Sequence, residues 1–343
     1  HHNLIMIPED SVSKKFKVLN GNDGGVYISN IADVPGINDG DWTFSGNGFN
    51  SGQFYSATKK PGADQFIGGL QDNGTWISPS ESVADAATSY ILAIGGDGFD
   101  VLWNYADPDL ILGGSQGNNF YRSDDGGNNW TSSTQGLDGV MPFFSKLASS
   151  NSHPDRVFTL SSLGVYRSND FGQSWTLSPI SQNWTFTDFM EIKVSIANPD
   201  IVWAGSGMSG VRAIHVSTDG GKSFSETNQF SQAELGILSG FSTHPENDST
   251  AFALFSFAKG PKILRTTDLG ESWEDISGFG SGNSSNNGFP DVAVYSLLVR
   301  PDNPDIIWAG TEIGIFESND VGLSWTFLEG DIGSVAIWEM KVV

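Results

Sequence analysis

Carboxylates and amides gather in the glycine-rich stretches of the first third of the chain, where short loops could present them to a ligand. Asn22 and Asp23 sit in Asn-Gly-Asn-Asp-Gly-Gly at 20–25, and Gln71, Asp72 and Asn73 sit in Gly-Leu-Gln-Asp-Asn-Gly-Thr-Trp at 69–76. Asp97 lies in Gly-Gly-Asp-Gly-Phe at 95–99, and Gln116, Asn118 and Asn119 follow at 116–119. Paired carboxylates can act as the acid and base of glycoside hydrolysis or as oxygen ligands of calcium, and amides suit sugar hydroxyls. The same residue types also satisfy the backbone of their own tight turns. Calcium is the one cofactor these residues suggest, and none is required. Phe143, Phe144, Trp184, Phe186, Phe189 and Phe289 fall in or beside loops, where they could stack on sugar rings or fill the core. No histidine has a catalytic setting: His153 and His244 stand at Pro-containing corners and His215 on a strand.

Such loops need a frame, and repetition supplies it. Ser-Asn-Asp-Phe-Gly-Gln-Ser-Trp at 168–175 recurs in kind at 123–130, 217–224, 266–273 and 318–325. Every copy reads Ser or Thr, any residue, Asp, any residue, Gly, two residues, then an aromatic. The aspartates Asp125, Asp170, Asp219, Asp268 and Asp320 are 45, 49, 49 and 52 residues apart, which is the period of a propeller blade. Within one period an apolar strand at 294–299, a corner with two prolines at 300–305, a second strand at 306–310, a third at 314–317, the turn and a fourth strand at 325–328 follow in order. Upstream, 4–7, 17–19, 25–29 and 42–44 read as a blade whose turn is enlarged by 31–41, and 54–57, 66–70 and 75–77 as another.

The pattern predicts an all-β chain, a β-propeller of four-stranded antiparallel blades, in a single domain over 1–343. Divergent blades occupy 1–96, regular blades 97–330, and 334–343 forms a closing or extra strand. The reading is seven blades, with eight, or part of a larger ten-bladed ring, as alternatives. Strand order places the repeated turns and the Pro-Asp corners on one face and the polar loops on the other. The five repeated aspartates read as structural, because equivalent carboxylates spread around a ring cannot share one substrate.

Composition narrows the partners. The formal net charge is -23 with only 17 Lys and Arg, so no basic stripe exists to neutralise phosphates, and nucleic acid is excluded. The absence of cysteine excludes disulfides, zinc-thiolate sites and thiol chemistry. No apolar run reaches membrane-spanning length, so no membrane insertion is expected. Oligomeric state is left open.

The repeated motif resembles the Asp-box (BNR) repeat of sialidases, xyloglucan-cleaving glycoside hydrolases, sortilin-type receptors and photosystem assembly factors, and it covers about two thirds of the chain. With the stretches at 20–29, 69–76 and 95–99, the chain resembles sortilin-like propellers of large secreted Bacteroidota-type proteins that are often labelled glycosyl hydrolases. That resemblance implies a secreted or cell-surface location on the bacterial exterior. Sialidase chemistry would need an arginine triad. Setting aside Arg122, Arg167 and Arg265, which share one repeat phase, leaves Arg156, Arg212 and Arg300, of which Arg156 and Arg300 lie at Pro-Asp corners on the wrong face, and the family's early Arg-Ile-Pro is missing, so that activity is disfavoured. Xyloglucanase-like enzymes place an aspartate two residues before a Gly-Gly; here that position is Asn22, with Asp23 one residue later and Asp97 as its partner. The favoured function is a binding or scaffold propeller for a glycan or a protein or peptide ligand, with glycoside hydrolysis by Asp23 and Asp97 as the alternative.

Overall fold

The computed structural model describes residues 3–10, 12–22, 25–45, 52–80, 84–85, 88–206, 213–256, 259–330 and 334–342. These residues build seven four-stranded antiparallel sheets, and in each the strands are joined in sequence order. The chain divides into two compact units, His1–Gln53 with Gln71–Asn73, and Phe54–Leu70 with Gly74–Val343. The first holds one sheet, blade 1, built from Asn3–Asp10, Lys15–Asn22, Gly25–Ser29 and Trp42–Phe44. The second holds blades 2 to 7. Among the described residues no helix is long and apolar enough to cross a membrane.

In the second unit the core lies between sheets. Ile67 and Ile77 of blade 2 meet Val101, Trp103 and Ile111 of blade 3, and the same arrangement recurs at each junction up to blade 7. The second strands Ile111–Ser115 and Ala251–Ser256 are buried at every position, as strands covered on both faces are, whereas short fourth strands such as Thr131–Ser132 and Thr326–Phe327 stay exposed. Glycine permits the closest approaches. A Cβ on Gly69 would stand 2.1 Å from the backbone oxygen of Phe99 in the next blade.

The repeated turns follow one hydrogen-bonding pattern. Ser168 Oγ donates to Asp170 Oδ1, and Asp170 accepts from the Ser174 N–H and hydroxyl. Asp125, Asp219, Asp268 and Asp320 are bonded in the same way. Each turn then ties to the corner of its own blade: the Gly126, Phe171, Gly220, Leu269 and Val321 N–H groups donate to Asp109, Asp155, Asp200, Ser249 and Asp305 carbonyls. Turns and corners therefore share one face. In two turns the closing aromatic reaches back a blade, Trp175 Nε1 donating to Ser133 O and Trp325 Nε1 to Ile276 O, whereas Trp130 Nε1 donates to Gly127 O of its own turn.

Two departures from the sequence expectation stand out. Blade 2 has its fourth strand at Ile91–Ile94, far beyond the third at Gly74–Ile77, because no repeated turn joins them. The segment expected as a closing or extra strand, 334–343, joins no ladder over its described residues. It is held chiefly by side chains, since Ile337 N–H to Thr311 O is its one backbone bond to blade 7 among those described.

Candidate functional site

The innermost strands of blades 2 to 7 begin on the face away from the repeated turns, and their first residues form the mouth of a channel. Register aligns one position in each. Ser56 pairs with Gly69, Glu191 with Gly205, Gly240 with Leu254 and Ser296 with Gly310, while Asp100 O accepts from Gly114 N–H. Lys146, two residues before Ala148, supplies the charged side chain of blade 4, whose innermost strand is Ala148–Ser150. Asp100, Lys146 and Glu191 thus come from three consecutive blades. With Lys193 they line a cavity of about 140 Å³ that segment 338–341 also lines.

The charges are balanced there. Lys146 Nζ lies 3.1 Å from Glu191, and Lys341 Nζ lies 2.9 Å from Glu339. Burial works against the Lys146 ammonium, but Glu191 and Asp100 outweigh it and hold its pKa above the usual lysine value. Burial pushes the Asp100 carboxyl up, although Lys146 and the Leu147 N–H at 2.9 Å oppose it. Burial pulls Lys193 down. In a chain of net charge -23, three of its 17 Lys and Arg are committed to this channel.

Tyr55, which lines the same cavity, belongs to a continuous aromatic array. Phe99 stacks on Tyr55 at 4.9 Å between ring centres, Phe144 meets both edge-on, and Phe189 stacks on Phe144 at 4.5 Å. Phe143 packs edge-on against Phe99 and Phe144. Phe143 is 44% exposed and Phe189 36%, so the outer part of the array faces solvent. Strand bulges set its inner part. Extra residues lie between Phe54 and Ser56, Leu238 and Gly240, and Val294 and Ser296, which turns Tyr55 and Tyr295 toward the channel. Trp338 stacks on Tyr295 at 4.2 Å and meets Tyr55 edge-on at 5.8 Å.

The residues singled out in the sequence fall in several places. Asp97 and Gln116 come together, the Asp97 N–H donating to Gln116 Oε1 at 3.0 Å. Asn119 Nδ2 donates to Gln116 O, and Asn73 Nδ2 to Gln71 O, so these amides support their own turns. Asp72 has φ +58°, the left-handed conformation that such a turn demands. Asn22 ends its strand in the first unit; Asp23 and Arg212 lie outside the described residues. Asn118 corrects the expectation of a ligand-facing amide: it is 1% exposed and its Nδ2 donates to Leu160 O in the next blade. Phe289 likewise belongs to the core between blades 6 and 7. Arg156 bonds Asp200 and Pro199 of the neighbouring corner, and Arg300 pairs with Asp302. Among the described residues no three His, Asp or Glu side chains gather closely enough to hold a metal ion. Sequence reasoning missed Tyr55, Asp100, Lys146, Glu191 and Trp338; the charged residues at one phase of otherwise apolar inner strands were the available signal.

No family model matches the chain, and no curated protein does. Solved structures do. The Niastella koreensis GH74 enzyme is similar over 92% of this chain and 42% of its own, with 19% identity and TM-score 0.59. The GH74 xyloglucanase from Xanthomonas campestris is similar over 95% and 45%, with 17% identity and TM-score 0.56. A YCF48 structure bound to D1 peptide is similar over 80% of both chains, with 15% identity and TM-score 0.53. The chain therefore spans less than half the length of these two GH74 structures. The likeness defines the fold, a β-propeller, with seven four-stranded sheets among the described residues.

Proposed function

We propose that this chain is a binding propeller whose site is the channel mouth opposite the repeated turns, and that it takes an extended polypeptide segment. The observation that carries the reading is an aromatic array that shares Tyr55 with a cavity lined by balanced charges. Phe143 and Phe189 offer apolar surface to a ligand side chain, while Lys146, Lys193 and Asp100 offer both signs to its polar groups. A sugar prefers an open, flat ring face. Here most of the rings meet edge-on, and Phe144 already has Phe189 stacked upon it. Peptide binding by a YCF48 structure of similar fold supports the reading by analogy. A secreted or cell-surface setting, as for the Asp-box and sortilin-like proteins that the sequence resembles, belongs to the same proposal.

The test is a displayed peptide library panned on the native chain, run beside a glycan array and a glucan hydrolysis screen. Enriched peptides that lose at least tenfold in affinity against the Phe143→Ser, Phe189→Ser double variant are expected. Binding unchanged by that variant, glycan binding alone, or sustained sugar release would overturn the reading. Sugar release abolished by Asp97→Ala would favour the hydrolase alternative.

A further inference from the structure

We infer that residues 336–341, Ala-Ile-Trp-Glu-Met-Lys, occupy the inner end of this same peptide groove as a resident ligand. We infer further that the groove's external ligands are extended peptides carrying an aromatic residue followed by an acid and a base. The inference rests on the polypeptide-binding reading above and specifies its ligand.

The segment lies between blade 7 and blade 2 of the second unit, and Ile337, Trp338, Glu339 and Lys341 are held through backbone, ring and charge as in a bound peptide. Its backbone docks on blade 7: Ile337 N–H donates to Thr311 O at 2.9 Å, and Ile337 O accepts from Ser296 Oγ at 2.9 Å. Its aromatic side chain, Trp338, fits between Tyr295 and Tyr55. Its charges dock on blade 2: Glu339 accepts from the Ala57 N–H at 3.2 Å, and Lys341 Nζ donates to Ser56 Oγ at 3.2 Å and Ala57 O at 3.1 Å. Backbone bonds with alternate side chains in pockets are how an extended peptide is read.

The groove is shaped for a backbone at this place. A Cβ on Gly310 would stand 2.8 Å from the Ile337 carbonyl oxygen, which is the relation Gly69 has to the backbone of the following blade. Segment 336–341 thus stands where an inner strand would pack, but without ladder pairing, so few backbone bonds must break for it to leave. Because Tyr55 also carries Phe99 and Phe144, the pocket holding Trp338 is continuous with the exposed array. A short tether presents such a segment at an effective concentration on the order of millimolar, so a free peptide competes only when the tether's grip is weak.

The experiment uses the full chain and a fluorescent synthetic peptide with the sequence of 334–343, Ser-Val-Ala-Ile-Trp-Glu-Met-Lys-Val-Val. The Trp338→Ala chain is expected to bind it at least tenfold more tightly than the native chain does. A peptide with alanine in place of its tryptophan should not bind, and adding Tyr295→Ala to the chain should abolish the gain. Absence of binding to Trp338→Ala, or equal affinity for both chains, would overturn the inference. Should Trp338→Ala fail to fold, hydrogen exchange on the native chain decides. Millimolar peptide should speed exchange at the Ile337 amide as the resident segment is displaced, and unchanged exchange counts against displacement. The two readings fail separately: loss of library binding with intact exchange of the 334–343 peptide removes the external ligand, whereas the reverse removes the resident one.

Discussion

In the repeated turn the residue after each aspartate is left-handed: Gly126, Phe171, Gly220, Leu269 and Val321 all have φ between +51° and +74°. Glycine takes this conformation freely, but a β-branched residue is strained by about 1–2 kcal/mol. Phe171, at 1% exposure, offsets the strain by burial, whereas Val321 is 36% exposed and recovers little. Val321→Gly should therefore stabilise the chain, by roughly 0.5–1 kcal/mol after the larger backbone entropy of glycine is counted, as measured in urea melts. The aspartate is the other half of the turn. Asp170→Ala leaves the Ser174 N–H and the Ser168 hydroxyl without their acceptor, and a loss of about 1–2 kcal/mol is expected in the same assay. In the channel, Lys146→Met strands Glu191 beside Asp100. Because both partners line the cavity and are partly exposed, the expected cost is about 1–3 kcal/mol, below that of a fully buried ion pair, and Glu191→Leu added to it should recover part.

At the level of strands and turns, most of the architecture was readable. Apolar runs broken by Pro-Asp corners place most strands of blades 3 to 7, because each corner and turn carries its own geometry in its residue types; in blade 4 the apolar run expected as the innermost strand, 144–147, gives way to Ala148–Ser150, and the corner at 153–155 lies inside the strand His153–Ser161. Blade 1 was legible for the same reason, down to the enlarged connection before Trp42. The fourth strand of blade 2 was not, since Ile91–Ile94 follows a long polar stretch with no turn signal pointing to it. The bulges that turn Tyr55 and Tyr295 inward were also invisible, for a bulge is a matter of register between two strands and leaves no residue signature here. The mouth reads in the sequence as polar loop amides, several of which support their own turns, with Phe143, Phe144 and Phe189 as loop aromatics beside them, while Tyr55, Glu191, Lys193 and Tyr295 on the innermost strands pass as ordinary strand residues. Gly310→Ala tests this level: its Cβ would stand 2.2 Å from Ser296 Oγ as well as close to Ile337, so a loss of about 1–3 kcal/mol and a red-shifted tryptophan emission are expected.

Across the whole chain, acid is the informative perturbation. Asp125 is held down to about 2, chiefly by the Asn129 side chain and N–H, and Asp170, Asp219, Asp268 and Asp320 are lowered as well. A carboxylate lowered on folding contributes stability that is complete above its unfolded value of 3.8 and lost as pH falls through its folded value. The turns should thus weaken as pH falls below about 4, the contribution of Asp125 being lost near pH 2. Asp100, raised by burial, acts in the opposite sense and gains as it is protonated. Thermal melts from pH 7 to pH 2 should show a cooperative fall below pH 4, and a flat profile there would mean that the turn aspartates contribute little. The docking of segment 336–341 on blade 2 has a kinetic side. The contact from Lys341 to Ser56 spans 285 positions, so during synthesis the second unit acquires it only after its sheets have formed. The docking adds only a few bonds to sheets already in place, which makes it a natural last step of refolding and first step of unfolding. Proteases that sample partial openings should consequently cut first within 334–342, while the sheets of the second unit are still intact.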